Sequence, residues 1–150
     1  MTAQIKFQQR SRELVCENDN KKTEIYNQVK LQAALIDFGL VMVPLAYDSA
    51  GADFLLTDFE GNQMIKVQLK ARITVSKKYA GKHLYMAFPM DSKQPDRDWV
   101  IVAHDELAEL WGKTETTDYL ANGGYTAKTV PQQLQAKIQA RSVLDHVIQL

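Results

Sequence analysis

Cysteine is almost missing from this chain of 150 residues, in which Cys16 stands alone. An internal disulfide is therefore excluded, and the lone thiol reads as a core-facing side chain of a cytoplasmic protein rather than as a nucleophile. Long apolar runs are missing as well. The longest, residues 40–46 and 100–103, fall far short of the ~20 residues of a membrane span, so no membrane partner is expected. The opening stretch MTAQIKFQQRSREL has neither an apolar core nor a small-residue cleavage site and does not read as a secretory signal. There is no internal repeat, which excludes a solenoid. The histidines His83, His104 and His146 are scattered and have no cysteine companions, so no zinc-binding pattern arises.

Net charge is absent too, with 18 basic and 18 acidic residues, but the two signs are separated along the chain. Residues 61–90 contain Lys66, Lys70, Arg72, Lys77, Lys78 and Lys82 and no acid, whereas residues 31–60 contain five acids and no base. Such a layout suits a protein with one anion-facing surface, and equally an ordinary solvated strand pair. With 45% hydrophobic residues the chain has enough apolar material for one domain spanning residues 1–150.

What is present centres on residues 53–72, DFLLTDFEGNQMIKVQLKAR, two strand-like runs joined at Glu60-Gly61-Asn62. Alternation in the second run sends Ile65, Val67 and Leu69 to one face and Lys66, Gln68 and Lys70 to the other. A hairpin brings the carboxylate of Asp53 beside Gln68 and Lys70. On either side, residues 3–17 read as a helix burying Ile5, Leu14 and Val15, and residues 23–38 as a stronger one burying Ile25, Val29, Ala33 and Ile36, with Glu24 in its first turn. Residues 40–44 suit a strand covered on both faces and ended by Pro44, followed by a loop at 46–51. Residues 73–79 and 83–88 form a second pair of extended runs around Ala80-Gly81-Lys82. After a loop at 90–98, a strand from Trp99 to His104 leads to Asp105, which can cap a helix over 105–113; residues 114–130 are irregular. A helix from Pro131, with Leu134, Ile138, Val143, Val147 and Leu150, closes the chain. The expected class is α/β or α+β with a mixed central sheet flanked by helices.

A helix carrying Glu24, a strand to Pro44, Asp53 and then Gln68-Leu69-Lys70 on a strand together resemble the PD-(D/E)XK nuclease superfamily over residues 20–104. The Gln-X-Lys variant, the stretch PLAYDSAGADFLL and the chain length are most similar to the cyanobacterial-type homing endonucleases encoded within group I introns. The resemblance implies a restriction-endonuclease-like core, a bacterial host and a Mg²⁺-dependent enzyme making double-strand breaks in DNA, with Mn²⁺ able to substitute. It implies that Asp53, Gln68 and the Leu69 carbonyl, as an edge carbonyl of its strand, ligate the metal, that Glu24 ligates a second ion or orients the first, and that Lys70, kept in place by two nearby carboxylates, stabilises the attacking water or the developing charge. Two positions depart from the family pattern: Ala52 replaces a proline, and Gln68 replaces an acid, bringing an oxygen without its negative charge.

Bland readings stand beside these roles. Asp53 can cap nearby amides, Gln68 and Lys70 can be polar members of a solvated strand face, and Glu24 can answer the helix dipole. Arg72, Lys77, Lys78, Tyr79, Lys82 and His83 are the candidate DNA-binding residues, on a two-stranded ribbon suited to a groove, or else edge lysines that discourage aggregation. A domain of this length is roughly 40 Å across, whereas a long target of about twenty base pairs spans ~70 Å. Double-strand cleavage also needs two sites, so a dimer or tetramer is expected, built through the helix at 131–150. Other readings are a restriction enzyme or Holliday-junction resolvase of the same superfamily, or a non-catalytic nucleic-acid-binding module whose metal site has decayed.

Overall fold

The computed structural model describes residues 5–49, 51–96 and 98–145. His146, Val147 and Leu150 lie outside this set. The first helix, α1 (Arg12–Cys16), is a short turn capped by the Ser11 side chain, and only Cys16 on it is buried. The expected longer N-terminal helix is not formed: residues 5–11 are irregular, and Ile5, Leu14 and Val15 are exposed. A left-handed Glu17 ends α1, and Asp19 caps α2 (Asn20–Ile36) through the Lys22 amide.

Helix α2 forms as expected but turns its other face inward. Asn27, Leu31 and Leu35 are buried, while Ile25 and Val29 are 53% and 57% exposed and Ile36 is exposed beside them. Both stripes recur at helical spacing. Leu31 and Leu35 win because they meet the sheet at Met42, Phe54, Leu56, Val67, Ala87, Trp99 and Ile101.

Strands β1 (Leu40–Ser49), β2 (Ala52–Asp58) and β3 (Met64–Leu69) form an antiparallel meander. Pro44 does not end β1; the strand continues past it after a change of register, so much of the expected loop is strand. Nor is β1 covered on both faces, because it is an edge strand and Val43 is exposed. Proline is tolerated there since an edge strand has no need of every amide donor. The hairpin between β2 and β3 turns through Glu60-Gly61-Asn62 as expected, with the Asp58 carboxylate accepting from the Asn62 and Gln63 amides.

The second expected hairpin is not one. β4 (Thr74–Ser76) leaves the main sheet, a 3₁₀ turn covers Lys77–Tyr79, and β5 (Leu84–Pro89) returns to pair parallel with β3. β6 (Trp99–Ala103) then pairs antiparallel with β5, completing a mixed five-stranded sheet in the order β1-β2-β3-β5-β6. α3 (His104–Trp111) follows directly. Asp105 does not cap it, because Ala103 holds the cap position and the Asp105 carboxylate faces Gly81 and His104.

The stretch 114–130 is more regular than expected. It holds α4 (Thr117–Asn122), capped by Thr116, and β7 (Gly124–Thr126), which pairs with β4 in a separate two-stranded ribbon. The last helix, α5 (Gln132–Arg141), buries Leu134 and Ile138 in the core formed by the second face of the sheet, α3 and the ribbon. The five-stranded sheet thus lies between α2 and a layer of helices and ribbon. Beyond α5 the chain closes the β6 edge: the Ile101 amide donates to Ser142 Oγ at 3.0 Å, and the Val143 amide donates to the Ile101 carbonyl at 2.9 Å. Among the described residues no helix is long and apolar enough to cross a membrane.

Candidate active site

The register of β2 against β3 puts Phe54 opposite Val67, and one residue further along stand Asp53 and Gln68. Partners across an antiparallel pair share a face. The two polar residues therefore emerge together at the end of β3, on the face opposite the one that Phe54 and Val67 bury. Asp53 Oδ2 accepts the Leu69 amide proton at 2.9 Å, so the acid is tied to the backbone of the strand that carries Gln68 and Lys70. The Lys70 amide in turn donates to Ala87 of β5 at 2.9 Å, which extends the parallel ladder and fixes where its side chain leaves the sheet.

Gln68 is only 8% exposed. Its Nε2 donates to the Leu69 carbonyl at 3.4 Å, and this sense is imposed because two facing oxygens would repel. The Leu69 carbonyl was expected as an edge group, but β3 is an interior strand between β2 and β5. Leu69 is reachable because β3 ends there.

Asp53, Gln68, Leu69 and Lys70 line one cleft of about 390 Å³ with Glu24, Gln28, Pro44, Leu45 and Phe54. The meander and α2 thus bring together all four residues singled out as catalytic. Glu24 comes from the second turn of α2, not the first, since α2 begins at Asn20, and its carboxylate is 3.3 Å from Lys21 Nζ in an exposed pair. Gln28, one helical turn on, adds an amide to the same wall; its signal in the sequence was its spacing of four from Glu24.

Lys70 is held differently from expectation. Carboxylates were expected to steady it, but among the described residues it forms no ion pair. Its ammonium lies 5.5 Å from the centre of the Tyr79 ring, and that of Lys78 lies 4.9 Å from the same centre. Tyr79, expected on a DNA-facing ribbon, is 3% exposed and packed in the core. Lys70 also lines a second cleft of about 290 Å³, with Lys78, Thr74, Tyr125, Thr126 and Asn122 among its walls. It therefore stands between the acidic cleft and a basic one.

The other basic candidates spread around the turn. Arg72, Lys77, Lys82 and His83 are exposed; Lys77 Nζ lies 5.7 Å from the Tyr119 ring centre, and the Lys82 carbonyl accepts from Lys66 Nζ. They do not share a β-ribbon, because the ribbon present is β4–β7. Lys113 lies 5.4 Å from the ring centre of Tyr125, on that ribbon, a proximity that no local pattern in the sequence signals.

The metal donors that the first cleft offers are all oxygen: two carboxylates, two amides and a carbonyl. Hard oxygens suit Mg²⁺ and Mn²⁺, and they fit a cation that retains part of its water shell. Among the described residues no three His, Cys, Asp or Glu side chains gather into one metal-binding group, and Asp53 and Glu24 are the acids among the described lining residues. Compared with known proteins, the chain matches no family model, no curated protein and no solved structure.

Proposed function

We propose that the chain is a Mg²⁺-dependent DNA endonuclease of restriction-endonuclease-like fold, an intron homing enzyme acting as a dimer or tetramer in the bacterial cytoplasm. One observation carries the reading: Glu24, Asp53, Gln68 and Lys70 converge on a single cleft from α2, β2 and the end of β3. The order of helix, three-stranded meander and returning parallel strand supports the same reading.

Asp53, the side-chain oxygen of Gln68 and the Leu69 carbonyl would hold the cation, with Glu24 as an outer or second ligand. When bound, the cation supplies a Lewis acid for a phosphoryl oxygen and makes water more acidic. The protein's own share is positional. Asp53 is fixed by the Leu69 amide, so its second oxygen has a defined direction. Lys70 brings a positive charge, not neutralised by any described carboxylate, to the mouth of the cleft, where it can offset charge building on phosphate oxygens. Lys78, Lys77, Lys82 and Arg72 extend that charge along the outside, a surface suited to the DNA backbone.

The test is cleavage of the intronless form of the host gene. Cutting should require Mg²⁺, stop with chelator and vanish in Lys70→Ala while DNA binding persists. A purified protein that leaves this substrate intact with Mg²⁺ overturns the homing reading. Cutting of four-way junctions regardless of sequence, or at short sites only, reassigns it to a resolvase or restriction enzyme.

A second reading, a non-catalytic nucleic-acid-binding module, is favoured by the neutral Gln68 and by the lack of a third acid among the described residues. Calorimetry separates the two: DNA binding without any heat of Mg²⁺ or Mn²⁺ binding supports the module.

A further inference from the structure

We infer that Tyr79 is a positioning residue for Lys70, a buried aromatic platform that holds the ammonium at the mouth of the active-site cleft without neutralising it. The inference rests on the role given to Lys70 above. A lysine side chain has four rotatable bonds and loses substantial entropy when fixed. An ion pair would fix it at the cost of its free charge. The face of an aromatic ring attracts the ammonium through its quadrupole and leaves the charge available to an incoming anion.

Each side of the ring's environment is defined. Against it packs Gly51, where a Cβ would fall 2.9 Å from Tyr79 Cδ1. The His104 ring meets it edge to face, with centroids 5.8 Å apart. The turn that bears it is anchored at both ends by consecutive residues of α3: His104 Nε2 accepts the Ser76 amide proton at 3.0 Å, and Asp105 accepts that of Gly81 at 3.1 Å. Two lysines, Lys70 just after β3 and Lys78 in the 3₁₀ turn, then lie over this one ring and line one cleft. The ring is thus buried and contacted by fixed backbone and ring atoms, as a platform requires.

The test replaces the ring's electronics and leaves its shape nearly unchanged. Tyr79→Phe should cleave DNA within about twofold of wild type. Pentafluorophenylalanine at position 79, which reverses the quadrupole, should lower kcat about tenfold with KM nearly constant. Equal rates for the two variants overturn the platform and leave the nuclease reading standing. A readout independent of activity is the proton spectrum: ring currents should move the ε-methylene signals of Lys70 and Lys78 upfield of those of Lys93 and Lys137. Absence of that displacement in the wild-type protein overturns the inference even if the chain cuts no DNA. Its presence in a protein that cuts nothing supports the platform and leaves only the nuclease reading refuted.

Discussion

His104 donates its Nδ1 proton to Asp105 across 2.9 Å. The tautomer follows from the other nitrogen, which accepts from a backbone amide and so cannot itself carry a proton. This bond, followed by the Gly81 amide, holds the Asp105 carboxyl below its ordinary value of 3.8.

The pH consequence has a definite sign. A depressed carboxyl contributes stability that is present above its unfolded value and is lost as pH falls through the folded one. Urea unfolding of Asp105→Asn should therefore show a deficit against wild type at neutral pH that closes once the pH drops well below 3.8. The Asp105 side chain is 60% exposed, so the deficit is expected to stay under ~1 kcal/mol. A deficit that grows on acidification contradicts the assignment.

Gln68→Glu places a carboxylate at a buried position beside Asp53 and removes the donor to the Leu69 carbonyl. Without divalent cation the variant should be less stable by about 1–3 kcal/mol. Millimolar Mg²⁺ should then raise its Tm by more than it raises that of wild type. Thermal unfolding with and without Mg²⁺ decides, and identical responses would remove position 68 from the cation site.

Gly51 and Gly39 both have positive φ, +87° and +69°, but only at Gly51 would a methyl meet other atoms, those of Tyr79 and Leu84. Gly39→Ala should cost ~1 kcal/mol, the conformational part alone. Gly51→Ala should cost about 1–2 kcal/mol more and displace Tyr79. Chemical denaturation of the two variants isolates the contact.

On α2, Leu31→Ala should cost 2–5 kcal/mol, roughly the range for an emptied leucine site, because Leu31 is fully buried. Val29→Ser, two residues away on the opposite, exposed stripe, should stay within ~0.5 kcal/mol when measured at concentrations too low for self-association. A large effect at Val29 under those conditions would mean that another part of the chain covers it.

These two residues also mark the limit of what the sequence discloses. The helix itself was legible, but Ile25, Val29 and Ile36 form as regular a stripe as Leu31 and Leu35, and nothing local says which one the sheet will meet. The candidate site was legible because it is carried by a hairpin: alternation and a Gly-containing turn bring Asp53 to Gln68 through local contacts. The run at residues 73–88 has the same local signature, yet its strands pair with β7 and with β3. Such distant pairings leave no trace in a local pattern. Tyr79 was visible as an aromatic among lysines, and its burial followed only from Gly51, His104 and a turn anchored on α3.

The segment after α5 has one more bearing. Ile101 directs its amide and carbonyl away from β5, into Ser142 and Val143. A chain shortened after Arg141 would uncover that edge along Val100-Ile101-Val102, an apolar run able to recruit strands of neighbouring molecules. Two residues outside any helix or strand thus guard the protein against aggregation, and a C-terminal truncation made to study assembly would report on that loss first.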